Sequence, residues 1–144
     1  MRAAMLDTGP IVGLLHAGDA HHDRSVSALK ESASQGRALC TTWETIGEAY
    51  TLIRLRLARP GDAGPALVVL RWARESGVVV MKAGDSDHAR AAAILEEYGD
   101  HPLSYVDAIV LALTERHRVE EVITVDQRNF GPIRLDHDPS ITVV

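Results

Sequence analysis

Apolar residues in this chain gather in short continuous runs, separated by longer stretches in which they recur every three or four positions. The runs are AAML at 3–6, RALCTT at 37–42, VVVM at 78–81, EVITV at 121–125 and ITVV at 141–144. Runs this short fit strands buried on both faces. The stretches between them read as helices. DTGP follows the first run, with Asp7 or Thr8 able to cap and Pro10 suited to a first turn, so a helix begins over IVGLLHA at 11–17. A second covers 21–36 and stops at Gly36. A third covers 43–58, where Ile46, Ala49, Tyr50, Ile53 and Leu57 share one face. A fourth covers 60–77 and closes at Gly77; a fifth covers 84–99, with Asp85 and Asp87 near its positive end. A sixth covers 101–119, and DQRNFGP at 126–132 reads as a turn. Strands alternating with helices predict an α/β fold with a parallel sheet covered on both sides. No repeat, low-complexity tract or linker divides the chain, and 144 residues fit one domain over 1–144.

Four acids interrupt this pattern. Asp7 ends the first apolar run, Glu48 lies in the third helix, Asp107 in the apolar helix SYVDAIVLAL, and Asp126 directly after EVITV. Asp7 and Asp126 both follow strands, and ligands of open α/β sheets bind beyond the carboxyl ends of strands. Gathered together, the four would raise one another's pKa. A divalent cation with oxygen ligands is the usual remedy, which points to a Mg²⁺ or Mn²⁺ site and to phosphodiester hydrolysis.

Each acid also has a plainer use. Asp7 and Asp126 suit helix caps. Ser104 and Asp107 fit a capping box, although a helix apolar nearly all round should be buried, and a buried unpaired carboxylate is costly. Glu48 fits a solvated helix face, and Glu44, one turn earlier, serves a site equally well on spacing. Thr8, Ser104 and Thr124 stand within three residues of the acids. Their hydroxyls suit either turn hydrogen bonds or the orientation of a carboxylate, a water or a phosphate oxygen.

Composition narrows the setting. The net charge of −5 argues against a nucleic-acid partner until the four acids are set aside, which leaves only −1. A cation at the acids would reverse the local field. Arg54, Arg56 and Arg59 at the end of the third helix are candidate RNA-backbone contacts, though a helix C-terminus and a solvated face explain them as well. Cys40 is the single cysteine, expected to be a small buried hydrophobe in a reducing cytoplasm. No apolar run reaches membrane-spanning length, and the start does not read as a signal peptide. The seven histidines lack zinc spacing: His21-His22 and Asp136-His137-Asp138 read as polar helix-start and loop residues. Trp43 and Trp72 read as packing residues.

Taken together, MLDTGPIVGLLHAGDAHHDRSVSAL, LCTTWETIGEAYTLIRLR and LSYVDAIVLALTERHRVEEVITVDQRNF resemble the PIN domain, and within it the VapC-type toxins of bacterial toxin–antitoxin pairs. Asp7 falls on the family's first acid and Glu48, rather than Glu44, on its second. Ser104 and Asp107 match an S-x-x-D motif, and Thr124, Asp126 and Phe130 a closing T-x-D…F motif. The likeness spans about 3–135, and its specificity lies in the order and spacing of motifs that are weak singly. It implies a three-layer α/β/α sandwich with a parallel sheet of about five strands. It also implies Mg²⁺- or Mn²⁺-dependent RNA cleavage, a homodimer and a cognate antitoxin. Asp7 and Asp107 would be the principal metal ligands, with Glu48 and Asp126 completing the site. Gly9-Pro10 departs from the pattern, standing where a small polar residue is usual.

Two other classes fit less well. A haloacid-dehalogenase-type phosphatase needs a second Asp two places after the first, where this chain has Gly9. A non-catalytic module of the same fold, binding RNA or protein, has no need to retain four acids.

Overall fold

The computed structural model describes residues 2–57 and 61–144. Five strands form one sheet: β1 (Ala3–Leu6), β2 (Ala38–Thr42), β3 (Val79–Met81), β4 (Glu121–Thr124) and β5 (Ser140–Val143). Their order is β3-β2-β1-β4-β5, and every neighbouring pair is parallel. Parallel strands need crossovers. The helices that supply them are α1 (Thr8–Leu15), α2 (His22–Ser34), α3 (Trp43–Arg56), α4 (Gly64–Glu75), α5 (Asp85–Glu97) and α6 (Tyr105–Arg116), with a short α7 (Gln127–Phe130) before β5.

The alternation of side chains in β1 divides the core in two. Ala3 and Met5 join Cys40, Val122, Ile94, Ile109 and Leu113 on the side covered by α5 and α6. Ala4 and Leu6 join Ile123, Ile11, Ile46, Ile53 and Val69 on the side of α1, α3 and α4. Both faces of the central strands are therefore dry, which is why these strands carry apolar residues without a polar alternate. The three-layer α/β/α sandwich is as the sequence predicts. Cys40 is fully buried in it, and burial pushes its thiol up to about 12. No helix among the described residues is long and apolar enough to cross a membrane.

Element ends depart from the sequence reading where caps intervene. The sixth helix starts at Tyr105, not 101, because Ser104 caps it. The fourth starts at Gly64 instead of 60. The expected turn at 126–132 contains α7, capped by Asp126. Ala58 and Pro60, at the expected end of the third helix and start of the fourth, lie outside the described residues.

The strand order fixes where a ligand can bind. Moving from β1 through β2 to β3 the chain builds one half of the sheet, then returns to the other side of β1 to add β4 and β5. The reversal falls between β1 and β4, and a crevice opens at the carboxyl ends of such a pair. Asp7 stands at the end of β1, where its amide bonds the carbonyl of Ile123 at 3.0 Å, and Asp126 stands just past the end of β4.

Candidate metal-dependent active site

The carboxylate of Asp7 is not spent on capping. Asp7 occupies the N-cap position of α1, yet its side chain makes no capping hydrogen bond. Instead Oδ2 accepts a hydrogen bond from Thr124 Oγ1 at 2.9 Å. The same hydroxyl oxygen accepts from the backbone amide of Asp126 at 3.1 Å, so Thr124 ties the ends of β1 and β4 together. Asp7 is only 7% exposed. Burial, then the charge of Asp107 and more weakly that of Glu48, push its carboxyl from 3.8 up to about 7, against the Thr8 amide and the Thr124 hydroxyl.

Asp107 does cap its helix. Its Oδ2 accepts from the Ser104 amide at 2.9 Å, and its own amide donates to Ser104 Oγ at 3.1 Å. This capping box fixes the direction of the carboxylate, and it engages one oxygen of two. The residue is 8% exposed and opens a run, through Thr114, in which every position is buried. Burial and then the charge of Asp126 raise its pKa, while the bonds from Ser104 act the other way. The capping box and the burial expected of Asp107 from the sequence therefore occur together.

Glu48 is half-buried on α3 and close enough for its charge to act on Asp7. Glu44 carries a buried Oε2 with no hydrogen-bond partner among the described residues. Asp126 is half-buried, more exposed than Asp7 or Asp107. Its Oδ1 accepts from the Arg128 amide at 2.9 Å and pairs with the Arg128 guanidinium at 3.2 Å, and those bonds hold its carboxyl below the usual range. Arg128 is a residue the sequence reading missed; an Arg two places after a capping Asp was its signal. Thr8 Oγ1, buried beside Asp7, also lacks a partner.

Contrast with the other buried acids sharpens the picture. Asp87 receives two hydrogen bonds from the guanidinium of Arg116, at 2.7 and 3.0 Å. Glu121, at the opposite end of β4, accepts from Ser32 Oγ at 2.7 Å and from Thr142 Oγ1, with Arg37 at 3.6 Å. Among the described residues, no ion pair reaches Asp7 or Asp107. Two buried, mutually repelling carboxylates without a cation of the chain's own are a donor set suited to a hard divalent ion. Among the described residues no three Asp, Glu, His or Cys side chains form a ready-made cage.

The remaining candidates fall elsewhere. Arg56 bonds Asp19 Oδ2 at 2.8 Å, and Arg54 donates to the Asp62 carbonyl, so both guanidinium groups are engaged within the chain. Arg59 lies outside the described residues. His21 and His22 fasten the start of α2, with Nδ1 atoms on the carbonyls of Val144 and Gly13 at 3.0 and 2.7 Å. Trp72 packs against the core as expected, but Trp43 is 50% exposed and is not a packing residue. It is the first residue of α3, and the helix turns it outward while Ile46 and Ala49 take the core face. A cleft of about 510 Å³ below the loop joining α7 to β5 is lined by Phe130, Ile133, His137 and Ile141 and contains none of the four acids.

Gly9 has a steric explanation. A Cβ there would lie 2.5 Å from Val125 Cγ2 and 2.6 Å from Cγ1. The first turn of α1 approaches the end of β4 so closely that no side chain fits, which accounts for the missing polar residue at this position.

Residues 4–133 match the family described as PIN domain. The chain is 24% identical over 140 residues to Ribonuclease VapC26 of Mycobacterium tuberculosis, covering 97% of this chain and 98% of that protein. Among solved structures it resembles Mycobacterium tuberculosis VapC20, described as a sarcin-ricin loop cleaving toxin, with a TM-score of 0.72 and 22% identity over 83% of this chain and 87% of that one. It also resembles the DNA-bound VapBC of Salmonella typhimurium, with a TM-score of 0.65 and 19% identity over 98% and 97% of the two chains. A toxin–antitoxin complex from Klebsiella pneumoniae gives 0.64 and 23% over 91% and 92%.

Proposed function

The chain belongs to the PIN domain family, and on that premise we propose that it is a divalent-metal-dependent ribonuclease, the toxin of a toxin–antitoxin pair. The observation that carries the reading is the pairing of Asp7 with Asp107: both buried, each without an ion-pair partner among the described residues, at the switch point of the sheet. The ribonuclease name of a relative that matches from end to end directs the substrate to RNA. In this reading one nuclease domain spans the chain and works in the cytoplasm as a homodimer, restrained by an antitoxin like those in the toxin–antitoxin complexes it resembles.

Asp7 and Asp107 would hold Mg²⁺ or Mn²⁺, with Glu48 and Asp126 completing the acidic site. The ion supplies the positive charge that draws a phosphodiester to an acidic protein and stabilises the charge of hydrolysis. The chain's own residues do the rest. Thr124 fixes Asp7 from one side, and Ser104 fixes Asp107 through the capping box, so neither carboxylate must reorganise. Glu48, half-buried on α3 and near enough for its charge to act on Asp7, would be the base that accepts a proton from the attacking water. Thr8 Oγ1, buried next to Asp7 in the chain and without a hydrogen-bond partner among the described residues, would help to orient the Asp7 carboxylate. Hydrolysis of this kind has no need of the ribose 2′-hydroxyl and leaves 5′-phosphate and 3′-hydroxyl ends.

Asp107→Asn tests the assignment cleanly, because the amide oxygen still accepts from the Ser104 amide while the charge is lost. Antitoxin-free protein and this variant should be incubated with total RNA in Mg²⁺, Mn²⁺ or EDTA. Discrete products that require the metal are expected, with cleavage reduced more than about a hundredfold in a variant of unchanged circular dichroism. An active Asp107→Asn protein, or products ending in 2′,3′-cyclic phosphate, would refute the assignment.

A further inference from the structure

The chain has one Phe, two Trp and three Tyr. Phe130 is buried, and Tyr50, Trp72 and Tyr98 are half-buried. The two exposed aromatics, Trp43 at 50% and Tyr105 at 46%, each open a helix at the carboxyl edge of the sheet, the edge that carries the acids. Tyr105 lies between Ser104 and Asp107, so its ring is attached to the capping box that aims the Asp107 carboxylate.

Tyr105 is also braced. Its ring and the imidazole of His88, in the first turn of α5, are parallel within 7° with centroids 5.9 Å apart, and the phenol oxygen is hydrogen-bonded to His88 Nδ1. Even so braced, Tyr105 remains 46% exposed, so part of its ring is left to solvent. An aromatic side chain held rigid has already lost the rotamer freedom it would otherwise surrender on binding. The phenol polar group is satisfied internally, which leaves the apolar face as the part still seeking a partner.

We propose that Tyr105, braced by His88, is a positioning platform on which an unpaired base beside the scissile phosphate of the RNA stacks. The inference rests on the ribonuclease reading above. Charge favours it. A chain with a net charge of −5, whose Arg54 and Arg56 are engaged internally, has little long-range attraction for a polyanion. Stacking supplies affinity that does not depend on charge, and it serves any base because every base has a π-face. Single-stranded loops, whose bases splay out, are the RNA elements that aromatic side chains can take in this way.

The test uses single-stranded RNA 12-mers of mixed sequence, with 2-aminopurine in place of adenine, and the Asp107→Asn protein so that binding is read without cleavage. The fluorescence of 2-aminopurine should be quenched on binding. Adding Tyr105→Leu should weaken binding about tenfold and remove the quench, and Tyr105→Phe, which keeps the ring, should stay within about twofold. In the cleaving protein the same Leu change should raise KM far more than it lowers kcat. Equal affinity and equal quenching in folded Tyr105→Leu protein would overturn the platform while leaving the nuclease intact. So would a change of oligomeric mass in that variant with RNA binding unaltered, because the ring would then face another protein. If the unaltered chain neither binds nor cleaves RNA of any kind, the ribonuclease reading falls and this inference with it.

Discussion

Burial and the neighbouring charge of Asp107 hold the Asp7 carboxyl near 7, about three units above its ordinary 3.8. Without a bound cation, the folded chain keeps a proton there that the unfolded chain releases near pH 4. Stability is therefore lost as pH rises from about 4 to about 7 and is level above that window. At roughly 1.36 kcal/mol per unit the ceiling on this loss is about 4 kcal/mol. Asp7→Asn removes the charge and keeps an acceptor for Thr124. In EDTA at pH 8 it is expected to raise Tm by several degrees and to flatten the slope of stability between pH 4 and 7, while abolishing cleavage. A lower Tm would show that the ionised carboxylate is not under strain. Asp7, Asp107 and Asp126 stood out in the sequence because each ends or interrupts an apolar run, whereas Glu48 was picked out only by the family resemblance. The tyrosine–imidazole pair did not stand out, because two residues seventeen positions apart show no pattern until the fold makes them neighbours.

Elements were legible to the extent that their signals are local. The buried strands appear as apolar runs, and Gly36 and Gly77 close their helices with φ of +79° and +82°. Caps were harder. The sequence offers both a capping box and a buried acid at Ser104–Asp107, and only the coordinates show one carboxylate oxygen serving the cap and the other left over. Gly9 belongs to the same scale. It lets the first turn of α1 sit against Val125, two residues from the Asp7–Thr124 hydrogen bond. Gly9→Ala should overpack this junction and cost about 1–3 kcal/mol, read as a lower midpoint in urea. An unchanged midpoint would mean that Val125 yields freely.

At the scale of the whole molecule, strand order was beyond reach. Five short apolar runs pair in any order as far as their composition shows, and the reversal between β1 and β4 that brings Asp7 to Asp126 is a property of the finished sheet. The family resemblance pointed to the fold because its motifs encode that topology indirectly. Charge also belongs here. Arg56 is bound to Asp19 across the structure, so it acts more as a tie between α3 and the loop after α1 than as a free cation. Arg56→Ala should change the slope of log affinity against log salt by well under the roughly 0.7 unit of one lost phosphate contact on single-stranded RNA. A full-unit change would return Arg56 to the RNA-binding surface.

The most direct measurement is the anomalous scattering of crystals grown or soaked with Mn²⁺. A peak at the carboxylates of Asp7 and Asp107, lost in Asp107→Asn crystals, is the expected result. A site free of density, or Mn²⁺ bound instead at Asp87 or Glu121, would contradict a metal centre at the end of β1.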